Sequence, residues 1–375
     1  MALMDLSEFK AALTAGTLGR RDISRVLASV GVVTLSVPVS QVAVQAKDPI
    51  QVLTWASYDV PQLRPGYDEE TGGAPSYLLF VDNDEAIEKV RAGYRPTLTQ
   101  PTTYMVARWR DAGLLKPIDV SRLENYGDIF PRLTSIGALH DGSNIYGVPF
   151  SWGNSSVLYR RDLAQEYVGS ESWKILWDEA YAGRLAQRDS MDAAVLQAAM
   201  ILGIEDPYHM NNDQLEAVRA KLIEQRELLR MYWTSQSDIE QALYTGEVVA
   251  AYAWNHAYAS LKRQGIDVGY MVPKEGILTW VDCTCLILDG PGSDEDAYAY
   301  IDAGISAEAG VFMIEEYGYG AANSRAFEAA NQELLEELGI ENPTRLMDMG
   351  QFFDEWDPAV RERANVMFEE VKAGF

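Results

Sequence analysis

From residue 50 onward, short apolar runs with strand character alternate with segments of helical period, and that alternation narrows the fold more than any other feature of the chain. Residues 50–55 read as a strand. Residues 82–92 read as a helix capped by Asp82 or Asn83, with Ala86, Ile87 and Val90 on one face and Gly93 as its stop. A second helix is predicted over 102–112, closed by Gly113. Residues 146–159 read as extended and broken at Gly153. Helices follow over 191–202, stopped at Gly203, and over 212–230. Strands are predicted over 248–254 and 278–288, and helices over 307–317 and 358–373. Strands separated by helices imply an α/β fold. A length of 375 residues suggests two lobes, each with its own core. No repeat and no low-complexity tether separates them, so the chain is expected to cross between lobes more than once.

The first 46 residues read differently. Arg20 and Arg21 stand ahead of a mildly apolar stretch over 26–44, and Val44-Gln45-Ala46 offers small residues at a cleavage site. A basic patch, an apolar run and a small-residue cut predict a secretory signal cleaved near Ala46, with the paired arginines pointing to the twin-arginine route. The alternative, an anchored helix, fits poorly. Ser24, Arg25, Ser29, Gly31, Thr34, Ser36 and Pro38 keep the run well short of the roughly 20 apolar residues a span needs. No other stretch is long and apolar enough to cross a membrane, so the mature protein is expected in solution outside the cytoplasm.

Charge and motif content exclude several function classes. Lys and Arg number 31 against 56 Asp and Glu, a net charge of −25 that disfavours nucleic acid and anionic membrane surfaces as partners. The acidity suits a cationic ligand or a surface adapted to salt. There is no GxSxG elbow, phosphate loop, HExxH or GxGxxG after a strand. His140, His209 and His256 lie far apart and read as surface or packing residues. Cys283 and Cys285 fall on one face of a strand and read as buried thiols, without the two further ligands a zinc site needs. The acidic loop over 289–296 lacks EF-hand spacing and reads as a solvated turn before a helix. No cofactor and no metal is expected.

Aromatic and acidic residues carry the functional signal. Nine tryptophans and twenty tyrosines are many for this length, and several stand at strand ends, where clefts of α/β folds form. Trp55 and Tyr58 follow the first strand, Tyr104 opens a helix, and Trp254 ends a strand. Trp280 and Asp282 share one face by the two-residue period. Asp is depleted in strands and costly to bury unpaired, so a carboxylate beside tryptophan points to a cation. Other readings stay open at this level. Trp55 and Trp254 fit a core as well as a cleft wall. Asp282 fits a lysine partner such as Lys274 as well as a ligand. Asp189 and Asp192 flank a helix start, where carboxylates cap and suit the dipole.

At these residues the sequence resembles the periplasmic spermidine/putrescine-binding proteins of bacterial ABC importers, over essentially the whole mature chain. The resemblance rests on Leu53-Thr54-Trp55-Ala56-Ser57-Tyr58, Pro101-Thr102-Thr103-Tyr104, Tyr146-Gly147-Val148-Pro149-Phe150-Ser151-Trp152-Gly153 and Ser172-Trp173-Lys174-Ile175-Leu176-Trp177. It continues through Gly246-Glu247-Val248, Ala253-Trp254-Asn255, Pro273-Lys274-Glu275-Gly276, Trp280-Val281-Asp282 and Tyr317-Gly318-Tyr319. It implies a two-lobed type 2 periplasmic-binding fold, with residues 47–148 and about 279–328 in one lobe and 149–278 and about 329–375 in the other. The ligand would lie between them. Trp55, Tyr58, Tyr104, Trp254, Trp280 and Tyr319 would form an aromatic box, and Thr102 stands where the family often has serine. Asp189 and Asp192 would grip one amine, Asp282 another, and Gln351 is the candidate for a polar contact near the C-terminus.

The implied function is capture of a polyamine and its delivery to an ABC permease, by a monomer and without chemistry. Three departures bear on specificity: Ala56-Ser57 lacks a polar–acidic pair common there, Thr97-Leu98-Thr99-Gln100 replaces a usual Asp-Leu-Val-Val, and His256-Ala257 follow Trp254 where some relatives carry an acid slightly further on. Binding of another organic cation such as agmatine or a quaternary amine, a sensory role beside a signalling receptor, and a secreted enzyme on the same fold are the alternatives. The last lacks any nucleophile–base pair.

Overall fold

Two long strands tie the molecule together. In the computed structural model, which describes residues 49–349 and 351–374, they lie at the centre of one continuous sheet. β1 (Gln51–Trp55) runs parallel to β2 (Ser76–Phe80) on one side and to the short β3 (Leu98–Thr99) on the other, and α1 (Asn83–Arg91) and α2 (Val106–Asp111) connect and follow them. β4 (Val148–Arg160) comes next, then β5 (Leu185–Arg188), α3 (Met191–Leu202), α4 (Asn212–Arg226), β6 (Leu229–Trp233), α5 (Gln236–Thr245), β7 (Ala250–Trp254) and α6 (Asn255–Arg263). The chain returns through β8 (Leu278–Ile287), then α7 (Ala307–Tyr317), and ends in α8 (Pro358–Ala373). The strand order is β2-β1-β3-β8-β4-β7-β5-β6. A parallel group stands at each end, and the antiparallel pairs β3–β8, β8–β4 and β4–β7 join them.

Burial follows this layout. Every residue of β8, and every residue of β4 except Arg160, is buried. One core gathers the side chains around β5, β6 and β7 with α3, α4 and α8, including Trp173, Trp233, Tyr252 and Phe368. Two further clusters form around β1 to β3 and α7. Ala330, Leu335, Ile340 and Met347 sit with α7, and residues from Trp356 to Val371 sit with α3 and α4.

Most elements start and stop where their sequence signals stand. Asp82 caps α1 by accepting from the Asp84 amide at 2.8 Å, and Gly203 ends α3 in the left-handed region at φ 69°. Four expectations need correction. β4 is unbroken at Gly153, because the glycine there serves packing rather than a bend: a Cβ would lie 2.4 Å from Trp280 Cζ2. The helix predicted over 212–230 ends at Arg226, and the residues from Leu229 join β5 as a strand, tertiary pairing overriding helical propensity. The predicted 102–112 helix opens as a tighter 3₁₀ turn at Thr103–Met105. α3 is capped at Ser190, with no side-chain bond from Asp189 or Asp192 to its first amides.

Candidate functional site

The floor of the site is a local irregularity in the central pair. Asp282 stands opposite Ser151 and Cys283 opposite Pro149, so Phe150 of β4 has no partner and the ladder bulges beside Asp282. Bulges re-aim side chains. Asp282 and Trp280 both face a cavity of about 800 Å³, counted out to open solvent. The Thr102 hydroxyl donates to Asp282 Oδ1 at 2.9 Å and the Tyr58 hydroxyl to Oδ2 at 3.2 Å. The open pairing with Lys274 is thereby resolved: no basic side chain ion-pairs with Asp282 among the described residues. Burial pushes its carboxyl from an ordinary 3.8 up to about 7, and the two hydroxyls and the more distant Arg188 only partly oppose this.

Asn83, at the start of α1, organises this floor. Its Nδ2 donates to the Thr102 hydroxyl at 3.2 Å and to the Tyr104 hydroxyl at 3.1 Å. Each hydroxyl then directs its own proton onto a carboxylate, Thr102 to Asp282 and Tyr104 to Asp192 Oδ2 at 2.8 Å. One amide thus orients the donors on both acids.

Aromatic rings form the walls. Trp280 meets Tyr319 edge to face at 4.7 Å, Tyr58 stacks on Tyr317 at 6.3 Å, and Tyr104 on Phe353 at 5.6 Å. Trp55 and Trp254 also line the cavity, and both pack against a hydrophobic core as well. Burial raises Tyr58, Tyr104 and Tyr319 well above the ordinary tyrosine value, so all three stay neutral donors. His256 reaches the cavity too, 5.1 Å from the Tyr317 ring, and burial lowers it below 6.5. It packs on the Tyr317 and Tyr319 rings, consistent with the expected packing role, and that packing forms part of the wall. Gly153 makes room for the Trp280 indole, and Gly153→Ala should displace it. The expected cost is about 1–3 kcal/mol of stability, read by thermal melting, together with loss of ligand affinity read by calorimetry.

The other expected acids have partners already. Asp192 lines the cavity, but Arg361 of α8 holds its Oδ1 at 3.1 Å and Asp84 at 2.8 Å. Asp189 lies outside the cavity, 2.5 Å from Lys372. Gln351 also lies outside it, in a two-residue strand beside Leu278 of β8, and Phe353 reaches the cavity instead. The sequence reading missed Arg188, Asp82, Asn83, Tyr317 and Phe353. Only Tyr317 carried a local signal: Gly318 turns the chain at φ 66° between two tyrosines, which brings both to the wall. Cys283 and Cys285 are free and buried, with sulfurs 3.8 Å apart. Among the described residues no cluster of His, Cys, Asp and Glu suits a metal, and no helix is long and apolar enough to cross a membrane. The predicted export signal lies outside the described residues.

An aromatic cleft between two parallel-sheet groups, lined by Asp82, Asp192 and Asp282, is a binding site by its form. The family model described as "Bacterial extracellular solute-binding protein" matches residues 80–336. The chain belongs to that family. Its members bind solutes for transport and are not enzymes. A putrescine-binding periplasmic protein of Escherichia coli is 22% identical over 91% of this chain and 95% of its own length. A putrescine/agmatine-binding protein of Pseudomonas aeruginosa is 24% identical over 82% of this chain and 87% of its own. Among solved structures, a putative spermidine/putrescine ABC transporter protein of Listeria monocytogenes superposes with a TM-score of 0.77 at 21% identity, covering 87% of this chain and 99% of its own. That solved structure has the two-lobed type 2 periplasmic-binding fold, which this solute-binding protein shares.

Proposed function

We propose that this solute-binding protein captures a small aliphatic amine in the cleft and hands it to an ABC permease, with polyamines the first class to test. The observation that carries this reading is Asp282. It is a buried carboxylate held by neutral hydroxyls alone, beneath aromatic rings whose faces attract cations. An ammonium group would neutralise it and complete its hydrogen bonds, while the methylenes pack between the rings. The names of the relatives point to the same class. In this reading the first 46 residues export the chain and are cut near Ala46, and the mature monomer works in the periplasm.

The test is calorimetric titration of the full-length chain, unfolded and refolded to strip carried-over ligand, with putrescine, spermidine, agmatine and choline. Binding of one of the three amines at micromolar concentration or tighter is expected. Choline has no N–H to donate to Asp282, so binding of choline alone would replace this reading by quaternary-ammonium capture. Absence of heat with all four would refute amine capture of this class.

A further inference from the structure

Three of the acids expected to hold amines were Asp189, Asp192 and Asp282, yet two of them are already neutralised from within the chain. Lys372 pairs with Asp189, and Arg361 pairs with Asp192 while also holding Asp84. The remaining acid of the cavity, Asp82, caps α1 and lies within electrostatic reach of Arg188; it forms no ion pair within 4 Å among the described residues, and burial raises its carboxyl. The same side of the cavity carries a cation. Arg188, the last residue of β5, lines it with its guanidinium 4.5 Å over the Trp254 ring. One N–H of that group donates to the Val81 carbonyl at 2.9 Å, and no carboxylate lies within ion-pairing distance of it among the described residues. A guanidinium has five N–H donors in a planar fork, so Arg188 keeps a face able to take a carboxylate in two-pronged fashion. Ser190 stands two residues on at the start of α3. It lines the cavity and its hydroxyl makes no cap bond. The first turn of a twelve-residue helix therefore adds its positive end to the same side.

We infer that the preferred solute is an aliphatic zwitterion, whose ammonium binds Asp282 and whose carboxylate binds Arg188 and the Ser190 hydroxyl. This rests on the amine-capture reading: it keeps the ammonium on Asp282 and puts an acceptor where a polyamine carries its second cation. A diamine meets Arg188 there, like charge against like, and finds Asp192 occupied by Arg361. An ω-amino acid meets complementary groups at both ends. Trp254 holds the guanidinium in place and leaves a ring wall for the methylenes between.

The experiment titrates the stripped full-length chain with ω-amino acids from β-alanine to aminohexanoate, each paired with the diamine of the same carbon count. The amino acid of best length should bind at least about tenfold tighter than its diamine. Arg188→Gln should erase or invert that preference, and Arg188→Lys, which keeps the charge without the fork, should retain part of it. Thermal melts of both variants check that they fold, and the wild-type comparison needs no variant. A diamine that outbinds every amino acid in the wild type overturns the inference and leaves amine capture standing. A preference unmoved by Arg188→Gln overturns the assigned role of Arg188. Diamine binding lost in Asp82→Asn would name Asp82 as a second amine seat and overturn it too. Failure of both series would sink amine capture, and this inference with it.

Discussion

Asp282→Asn should weaken amine binding by thirtyfold or more while stabilising the free protein above neutral pH. The first effect follows from removing the charge opposite a desolvated ammonium, which costs about 2–5 kcal/mol. The second follows from the carboxyl's position near 7 in the folded chain against an ordinary 3.8. A group raised on folding contributes stability that is fully present below its unfolded value and is lost as pH rises through the folded one. The free wild-type protein therefore loses stability between about pH 4 and 7, by an amount on the order of 4 kcal/mol once the gap is converted. Asparagine carries no charge to desolvate, so the variant should not show that loss. A variant that melts higher at pH 8 yet no longer binds cannot be dismissed as misfolded.

The same carboxyl sets the pH dependence of binding. An ammonium needs Asp282 ionised, so below about pH 7 each binding event must release a proton. Affinity should rise about tenfold per pH unit up to about 7 and then level. Tyr58 and Tyr319 are raised and stay neutral, whereas burial raises the Asp82 carboxyl and lowers His256, so the same titration of Asp282→Asn is what assigns the proton to Asp282. Calorimetry in buffers of different ionisation heat reads the released proton directly. A flat affinity from pH 5 to 8 would mean that Asp282 is not where the cation sits.

How much of this was legible depends on the range over which each fact is written. The alternation of strands and helices is local, and it placed α3, α7 and α8 at the limits they have. The two-residue period of a strand is local as well, and it put Trp280 and Asp282 on one face, which the structure turns into the cavity. Trp55, Tyr58, Thr102, Tyr104, Trp254 and Tyr319 also come together there. What could not be read was pairing across the chain. Asp189 and Asp192 look alike in sequence, three residues apart at one helix start. Their fates differ because partners 183 and 169 residues away arrive on α8. Gly153 looked like a break because nothing local says that an indole lies over it. The end of α4 was misplaced because the strand after it is stabilised by β5, not by its own residues.

Arg361 should prove the costliest single side chain to remove, with Arg361→Met lowering stability by about 3–5 kcal/mol. Its guanidinium is buried and bridges Asp192 at 3.1 Å and Asp84 at 2.8 Å. Asp84 keeps Arg108 when it is lost, but Asp192 keeps only the Tyr104 hydroxyl. The penalty is that of a buried carboxylate left without its counter-ion, rather than of the bridge alone. Asp192→Asn in the same chain should therefore recover most of the loss, and a double-mutant cycle should return a coupling above about 2 kcal/mol. Denaturant melts of the four proteins measure it. Additive losses would mean that Arg361 acts mainly through Asp84 or through packing of its stem. The cycle also bears on selectivity. With Arg361 gone, Asp192 is exposed to the cavity as a second acid, and diamines should gain affinity relative to amino acids of the same length. With both residues changed, that gain should vanish. The distribution of charge within the chain, and not the count of acids around the cavity, would then decide how many cations a solute must carry.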